Sequence, residues 1–252
     1  MGKRVIDLAI VIPTLNEEKY IGYLLESIAR QTVQPKEVVI VDAFSPDKTE
    51  SEVRRWKKKI PQLEFYRIPK DTISKQRNYG VKKSKSSRIL FLDADTALID
   101  DDTLEKYIDE VEKKKASIAV AQNYPLSKHW KDKAYFEAAN LTTKVGKHIW
   151  PMAVGINLFC QRDVFEKLKG FDEKIKIGED IELVQRFAKK GYVYEVLKDP
   201  KIHTSVRRLR KEGRIRFVFM MINSFFAAHI FGYRKNPIVK EYEFGKHQHI
   251  DS

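Results

Sequence analysis

The sequence predicts an α/β fold, with a mostly parallel central sheet covered by helices on both faces and a helical extension at the C-terminus. Three observations carry this. Short runs rich in β-branched residues alternate with amphipathic helical patterns through the first half of the chain. The apolar run Ile89-Leu90-Phe91-Leu92 stops at Asp93-Ala94-Asp95, two carboxylates at the strand end where open α/β sheets place their ligands. The 252 residues are 42% hydrophobic and 33% charged with no low-complexity tract, which suffices for a sizeable core.

Residues 8–12 read as a buried strand closed by Pro13, and residues 18–31 as a helix with Ile21, Leu24, Leu25 and Ile28 on one face. A second strand, 38–41, leads to a helix over 47–58, with Ser45 and Pro46 as its N-cap and first residue. A third strand, 65–68, precedes a helix over 74–83 with Ser74 as N-cap. Residues 88–92 form the fourth strand. A helix over 103–114 then sets Leu104, Tyr107, Ile108 and Val111 on one face. After a strand at 118–121 the rhythm breaks. The aromatic segment 124–150 is helical in part; a strand at 155–161, a capped helix from Asp163, a helix over 179–190 and a strand at 194–197 follow. No linker separates the halves, so one domain is expected over residues 1–210, with the extension over 211–252.

The single Cys160 cannot form an intramolecular disulfide, and the basic N-terminus meets Asp7 too early for a secretory signal. A cytosolic location is expected. The formal net charge of +13 suits nucleic acid, an anionic membrane or phosphorylated substrates. Much of it is scattered lysine, as in Lys57-Lys58-Lys59, which a solvated surface explains. The cluster between Lys201 and Arg216 is not explained that way.

Several segments carry chemistry. In Pro13-Thr14-Leu15-Asn16-Glu17-Glu18, Thr14 and Glu17 have capping-box spacing; the functional reading sets Glu17 around a nucleobase or ribose. Asp42, at a strand end, is left over once Ser45-Pro46 is assigned to capping. Arg77 sits at a helix start, where it can pair with phosphate, contact a base or simply lie on the surface. Asp93 and Asp95 are hard oxygen ligands, suited to a divalent cation and through it to a phosphate-bearing substrate. Glu179 and Asp180 open a helix, where the macrodipole favours acids and where a carboxylate can also act as general base. His203 follows a strand; a lone histidine is usually structural, but beside an Asp-x-Asp it makes a third metal ligand.

Asp-x-Asp-x-Thr at a strand end also resembles the nucleophile loop of haloacid-dehalogenase-type phosphatases, with Asp93 attacking phosphorus and Asp95 as acid and base. That loop normally follows the first strand of its domain, whereas three βα units precede it here. The downstream Lys and acidic pair of that family have no match in the expected order.

Taken in order, the segments resemble the inverting GT-A glycosyltransferases of family 2. The likeness rests on Pro13-Thr14-Leu15-Asn16-Glu17-Glu18, Val38-Val39-Ile40-Val41-Asp42, Arg77-Asn78-Tyr79-Gly80, Phe91-Leu92-Asp93-Ala94-Asp95, Gly170-Phe171-Asp172-Glu173, Gly178-Glu179-Asp180 and His203. Each is weak alone; the ordered set is strong. The resemblance implies a Rossmann-like GT-A domain that takes a nucleotide-diphospho-sugar donor and a divalent cation, Mg²⁺ or Mn²⁺. By the same token Pro13, Leu15, Glu17, Asp42 and Arg77 surround the nucleotide, and Asp93 holds the ribose or the metal's water shell. Asp95 ligates the cation, His203 completes its site, and Asp180 is the catalytic base. Ala43 stands where the family commonly has a second acid, which leaves UDP versus GDP open. The Gln-x-x-Arg-Trp element of processive synthases is absent after His203, implying single-sugar transfer.

From Arg207 to Arg216 the chain is dense in arginine, and an apolar, Phe-rich run follows. It falls short of the roughly 20 apolar residues of a transmembrane helix and carries Asn223, Ser224 and His229, so no span is expected. Two readings stay open for residues 207–233. One is a helix in the interface on the cytosolic face of a membrane, which favours a lipid-linked acceptor. The other is a helix packed on the domain or on a second subunit, which favours a soluble glycan acceptor. A non-enzymatic alternative makes the basic run a nucleic-acid or membrane module; no nucleic acid is expected under the glycosyltransferase reading.

Overall fold

The computed structural model describes residues 3–153 and 156–237. Its sheet runs in the order β3-β2-β1-β4-β7-β6-β8-β5. The strands are β1 (Arg4–Thr14), β2 (Val33–Asp42), β3 (Leu63–Arg67), β4 (Arg88–Leu92), β5 (Thr96–Ala97), β6 (Ile118–Pro125), β7 (Asn157–Gln161) and β8 (Tyr194–Thr204). β1 to β4 are mutually parallel, as are β6 and β8. β7 is antiparallel to both β4 and β6, and β5 to β8. The strand order reverses at β1, which lies between β2 and β4. A crevice at the C-terminal ends of β1 and β4 follows from that switch point.

Strand periodicity divides the core into two layers. Leu8, Ile10, Ile12, Leu90 and Leu92 point to one face, under α1 (Ile21–Arg30) and α4 (Thr103–Lys113). Val11, Ile89 and Phe91 point to the other, against α6 (Arg162–Lys167) and α7 (Glu179–Lys189). The remaining helices are α2 (Thr49–Trp56), α3 (Ile73–Lys83), α5 (Trp130–Gly146), α8 (Arg207–Lys211) and α9 (Arg214–Phe231). Cys160 is buried in the second layer.

Helix α3 is fastened where it matters for the crevice. Gln76 Nε2 donates to the carbonyls of Thr14 (2.8 Å) and Val41 (2.7 Å), joining the helix to the ends of β1 and β2. Gly80 lets the helix approach β1 closely, since a Cβ there would lie 2.4 Å from Val11 Cγ1. Asn78 exchanges hydrogen bonds with the backbone of Phe171 (2.9 and 3.0 Å), which fixes the loop ahead of α7.

The expected caps are replaced. Thr14 Oγ1 donates to Asp42 (3.1 Å) rather than capping α1, which starts from backbone bonds to the Glu17 carbonyl. Ser45 also serves Asp42, and α2 begins after Lys48. Thr72, not Ser74, caps α3, accepting from Lys75 N at 3.3 Å. Helix α6 begins at Arg162 with no side-chain cap. Of the expected strand 155–161, Gly155 lies outside the described residues, as do residues 238–252 of the expected extension. The division after residue 210 falls inside α8. The expectation for the apolar run is revised: α9 is long and apolar enough, by length and composition alone, to cross a membrane.

Helix propensity alone makes Gly80→Ala stabilising by up to about 1 kcal/mol. The close approach to Val11 predicts the opposite, a loss of about 1–3 kcal/mol from overpacking. Denaturant midpoints decide it, and a higher midpoint for the variant refutes the packing account.

Candidate active site

The loops after β1 and β2 meet at the crevice. Each turns on a non-glycine residue with positive φ, Asn16 (57°) and Phe44 (54°). For an aromatic residue this backbone is unfavourable and marks a place held by its surroundings. Ser45 Oγ ties the loops together by accepting from Asn16 N at 2.8 Å. Asp42 is wholly buried, accepting from Thr14 Oγ1, from Ser45 N (2.8 Å) and from Ser45 Oγ (2.5 Å), with Arg67 Nε at 3.4 Å. Its carboxylate is engaged in holding the two loops. Pro13 and Leu15 are buried beside it. The exposed ring here is Phe44, with the Arg67 guanidinium 4.7 Å from its centroid.

Two guanidinium groups organise five carboxylates. Arg77, 2% exposed, donates to Asp93 Oδ1 (2.9 Å) and to Glu179 Oε1 (2.8 Å), and its guanidinium lies 5.3 Å from the centre of the Phe171 ring. Arg207 donates to both oxygens of Glu17 (2.6 and 2.9 Å), with its Nε 3.1 Å from Asp95 and its guanidinium over Tyr20. Asp180 is buried beside Glu179 in the first turn of α7, which begins after Gly178 in the left-handed conformation.

Five carboxylates against two guanidiniums leave an excess of negative charge. Burial pushes Asp180 up to about 7, helped by Glu179 and opposed by Arg77. Glu17 is pushed up to about 7 by burial, with Arg207 working against it and Asp95 and Asp93 adding to it. Burial also lifts Asp95 to about 6, against Arg207 and with Asp93. For Arg207 itself, burial works downward, and the neighbouring carboxylates of Asp95 and Glu17 outweigh it. Such under-compensated hard oxygens fit Mg²⁺ or Mn²⁺, which commonly takes one or two carboxylates together with substrate phosphates.

His203 does not join them. Between buried Ile202 and Thr204 on β8, its ring packs on Tyr124 at 5.5 Å, and its charged neighbours are Asp100 and Lys201. Neither Asp93 nor Asp95 is among its described contacts. Among the described residues no group of three His, Cys, Asp or Glu side chains is set to hold a metal ion. Tyr20, Phe44 and Arg207 were not expected at the site, and Glu179 was read only as a candidate base beside Asp180, not as a partner of Arg77. Arg207 had a signal, its place in the arginine run, but nothing in the sequence paired it with Glu17.

Two more arginines of the run, besides Arg207, pair with a buried acid. Asp132 of α5, fully buried, accepts from Arg214 Nε (2.8 Å), Arg210 Nη2 (3.1 Å) and Ser127 Oγ (2.7 Å). Although burial works upward, these donors hold Asp132 down to about 2.

A mostly parallel sheet with an acid-lined crevice at its switch point is the GT-A arrangement, and solved structures share it. A mannosyltransferase from Pyrobaculum calidifontis, in complex with GDP-Man and Mn2+, superposes with a TM-score of 0.71 at 23% identity, over 93% of this chain and 67% of that one. Staphylococcus aureus TarS residues 1–349, in complex with UDP-GlcNAc, gives 0.65 at 19% identity, over 95% and 77%. At these identities the likeness is one of fold. The chain belongs to glycosyl transferase family 2, whose pattern matches residues 9–169. It is 27% identical over 212 residues to the minor teichoic acid biosynthesis protein GgaB of Bacillus subtilis, covering 80% of this chain and 23% of that protein. It is 30% identical over 151 residues to 4,4'-diaponeurosporenoate glycosyltransferase of Staphylococcus aureus, covering 57% and 38%. The chain thus spans well under half the length of these curated relatives.

Asp180 yields a stability prediction. Its folded-state pKa lies above the unfolded value, so its stabilising contribution is full below about 4 and is lost as pH rises towards about 7. Asp180→Asn removes the buried charge and should raise Tm at pH 8, by roughly 2–4 °C per kcal/mol relieved, with little change at pH 4. Thermal unfolding at both pH values is the check; an equal or lower Tm at pH 8 contradicts the assignment.

Proposed function

We propose that the chain is a metal-dependent inverting glycosyltransferase that moves a single sugar from a nucleotide-diphospho-sugar to a hydroxyl or lipid-phosphate acceptor. One observation carries the reading: Arg77 bridges Asp93, at the strand end that faces the donor, to Glu179, next to the buried carboxyl of Asp180. Donor side and base side are thereby held in one rigid unit.

In this reading Pro13, Leu15, Glu17, Asp42 and Arg77 surround the nucleotide, with Asp93 on its ribose side. Asp95, with Asp93 beside it, would hold Mg²⁺ or Mn²⁺, which supplies Lewis acidity to the diphosphate. Asp180 accepts the proton of the acceptor hydroxyl as that oxygen bonds to the anomeric carbon. The bond from that carbon to the diphosphate oxygen breaks on the opposite face, and the nucleoside diphosphate departs. One displacement inverts the centre. The nucleotides in the solved relatives support UDP- or GDP-sugars as donors. The names of the curated relatives, a minor teichoic acid biosynthesis protein and a 4,4'-diaponeurosporenoate glycosyltransferase, support a glycan or lipid-linked acceptor. We place the reaction at the cytosolic face of a membrane.

The phosphatase reading gives way to the family assignment, since residues 9–169, Asp93 and Asp95 included, match glycosyl transferase family 2. A nucleic-acid module loses its main support, because Arg207, Arg210 and Arg214 pair with Glu17, Asp95 and Asp132.

Thermal shift against UDP-, GDP- and dTDP-sugars, with and without Mn²⁺, tests the donor site; no stabilisation by any of them sinks the proposal. With a hydroxyl acceptor, Asp180→Asn should lower kcat about 10²–10⁴-fold. In the unaltered chain the rate should fall as pH drops through about 7, where Asp180 takes up its proton. Turnover retained by Asp180→Asn shows instead that the acceptor is a phosphate, already anionic near neutrality.

A further inference from the structure

Helix α9 carries an apolar stripe that the domain does not cover. Ile215, Phe219, Ile222, Phe226 and Ile230 recur at helical spacing and are all exposed, Ile215 by 75%. Its opposite side faces inward at Ser224 and Ala228, both buried, and Asn236 Nδ2 donates to the Ser224 carbonyl (3.0 Å). A second stripe stands on α5, where Trp130, Leu141 and Val145 are exposed, with Ile149 just beyond the helix end.

The two helices are joined near both ends. Arg214 binds Asp132 near their N-terminal ends, and Tyr135 meets Phe217 at 6.2 Å. Beyond the end of α5, Trp150 Nε1 donates to His229 Nε2 at 3.0 Å. Exposed apolar area on this scale marks a surface that something covers.

We propose that α5 and α9 together form a seat on an anionic lipid bilayer, which extends the membrane location given above and adds α5 to it. Charge selects the occupant. Exposed Lys128, Lys131, Lys133 and Lys144 outnumber the exposed Glu137 about the α5 stripe, and exposed Arg216 stands in the first turn of α9. Cations beside an apolar face match acidic headgroups over acyl chains. A two-fold contact between copies would set these like charges together, on chains that each carry a formal +13.

The helix lies on the bilayer rather than across it, because both its ends are tied to the same domain. Arg214 holds the first turn to Asp132; beyond the last, Tyr233 OH donates to Gln185 (3.2 Å) and Arg234 Nε to Asp172 (2.6 Å). These ties flank the crevice. Arg207 reaches Asp95 just before α9, and the Tyr233 ring lies 3.3 Å from where a Cβ on Gly178 would stand. A bilayer under α9 therefore faces a helix pinned at both margins of the candidate active site.

Co-sedimentation of the full chain with vesicles, one part phosphatidylglycerol to two of phosphatidylcholine, tests this without donor or acceptor. The chain should pellet, less so in high salt, and less with phosphatidylcholine alone. Phe219→Ser with Phe226→Ser should weaken partition at least tenfold, since burying each ring contributes about 1.5–3 kcal/mol. Leu141→Ser with Val145→Ser should also weaken it at least tenfold by the same measure. These side chains are exposed, so the variants should keep their nucleotide-sugar thermal shift. No pelleting of the unaltered chain overturns the inference, as does wild-type partition by the α5 pair. A dimer by light scattering that the α9 pair dissolves, with vesicles ignored, overturns it in favour of a second copy. A chain that pellets but is stabilised by no nucleotide-sugar sinks the catalytic proposal and leaves this one standing.

Discussion

The structure hangs on the buried guanidinium of Arg77. A charge this deep persists only with partners, and Asp93 and Glu179, 16 and 102 residues away in sequence, are among them. Taking Arg77 away would strand Asp93 and Glu179 in a place already rich in acid, the costly way to break a buried pair. The helix that carries it is fixed from three sides: Gln76 on the ends of β1 and β2, Gly80 against Val11, and Asn78 on the loop before α7. Sheet, loop and helix α7 thus share one anchor.

Arg207 repeats the device at the other end of the crevice, linking Glu17 to Asp95 from 190 positions away in sequence from Glu17. Arg207 holds Glu17 and Asp95 while Arg77 holds Asp93 and Glu179, leaving Asp180 buried without a direct ion pair among the described residues. Its raised pKa follows from that placement. A carboxyl kept from full ionisation costs stability, and the same property suits it to proton transfer near neutrality.

Much of this was legible in the sequence. Strands buried on both faces read as continuous apolar runs, so β1, β2 and β4 could be placed from pattern alone, and Asp93 and Asp95 followed from where β4 stops. What escaped was set by distant contacts. Thr14 and Ser45 look like caps, and become props for Asp42 only once β1 and β2 lie side by side. Ser74 loses its cap to Thr72, two residues earlier. β8 runs on from 197 to 204, so His203 lies within the strand rather than after it. The Arg207 partners could not be found locally, since a run of arginines reads as a surface until its acids are known.

Asp132 gives the molecule two separate responses to acid. Glu17, Asp95 and Asp180 take up protons at or just below neutrality, whereas Asp132 stays ionised down to about 2. Its grip on Arg210 and Arg214 is therefore lost only as pH falls through that much lower range. On acidification the crevice carboxylates are neutralised first, with the Asp132 ties to the C-terminal helices still in place. The crevice and the C-terminal helices thus answer acid in separate pH ranges.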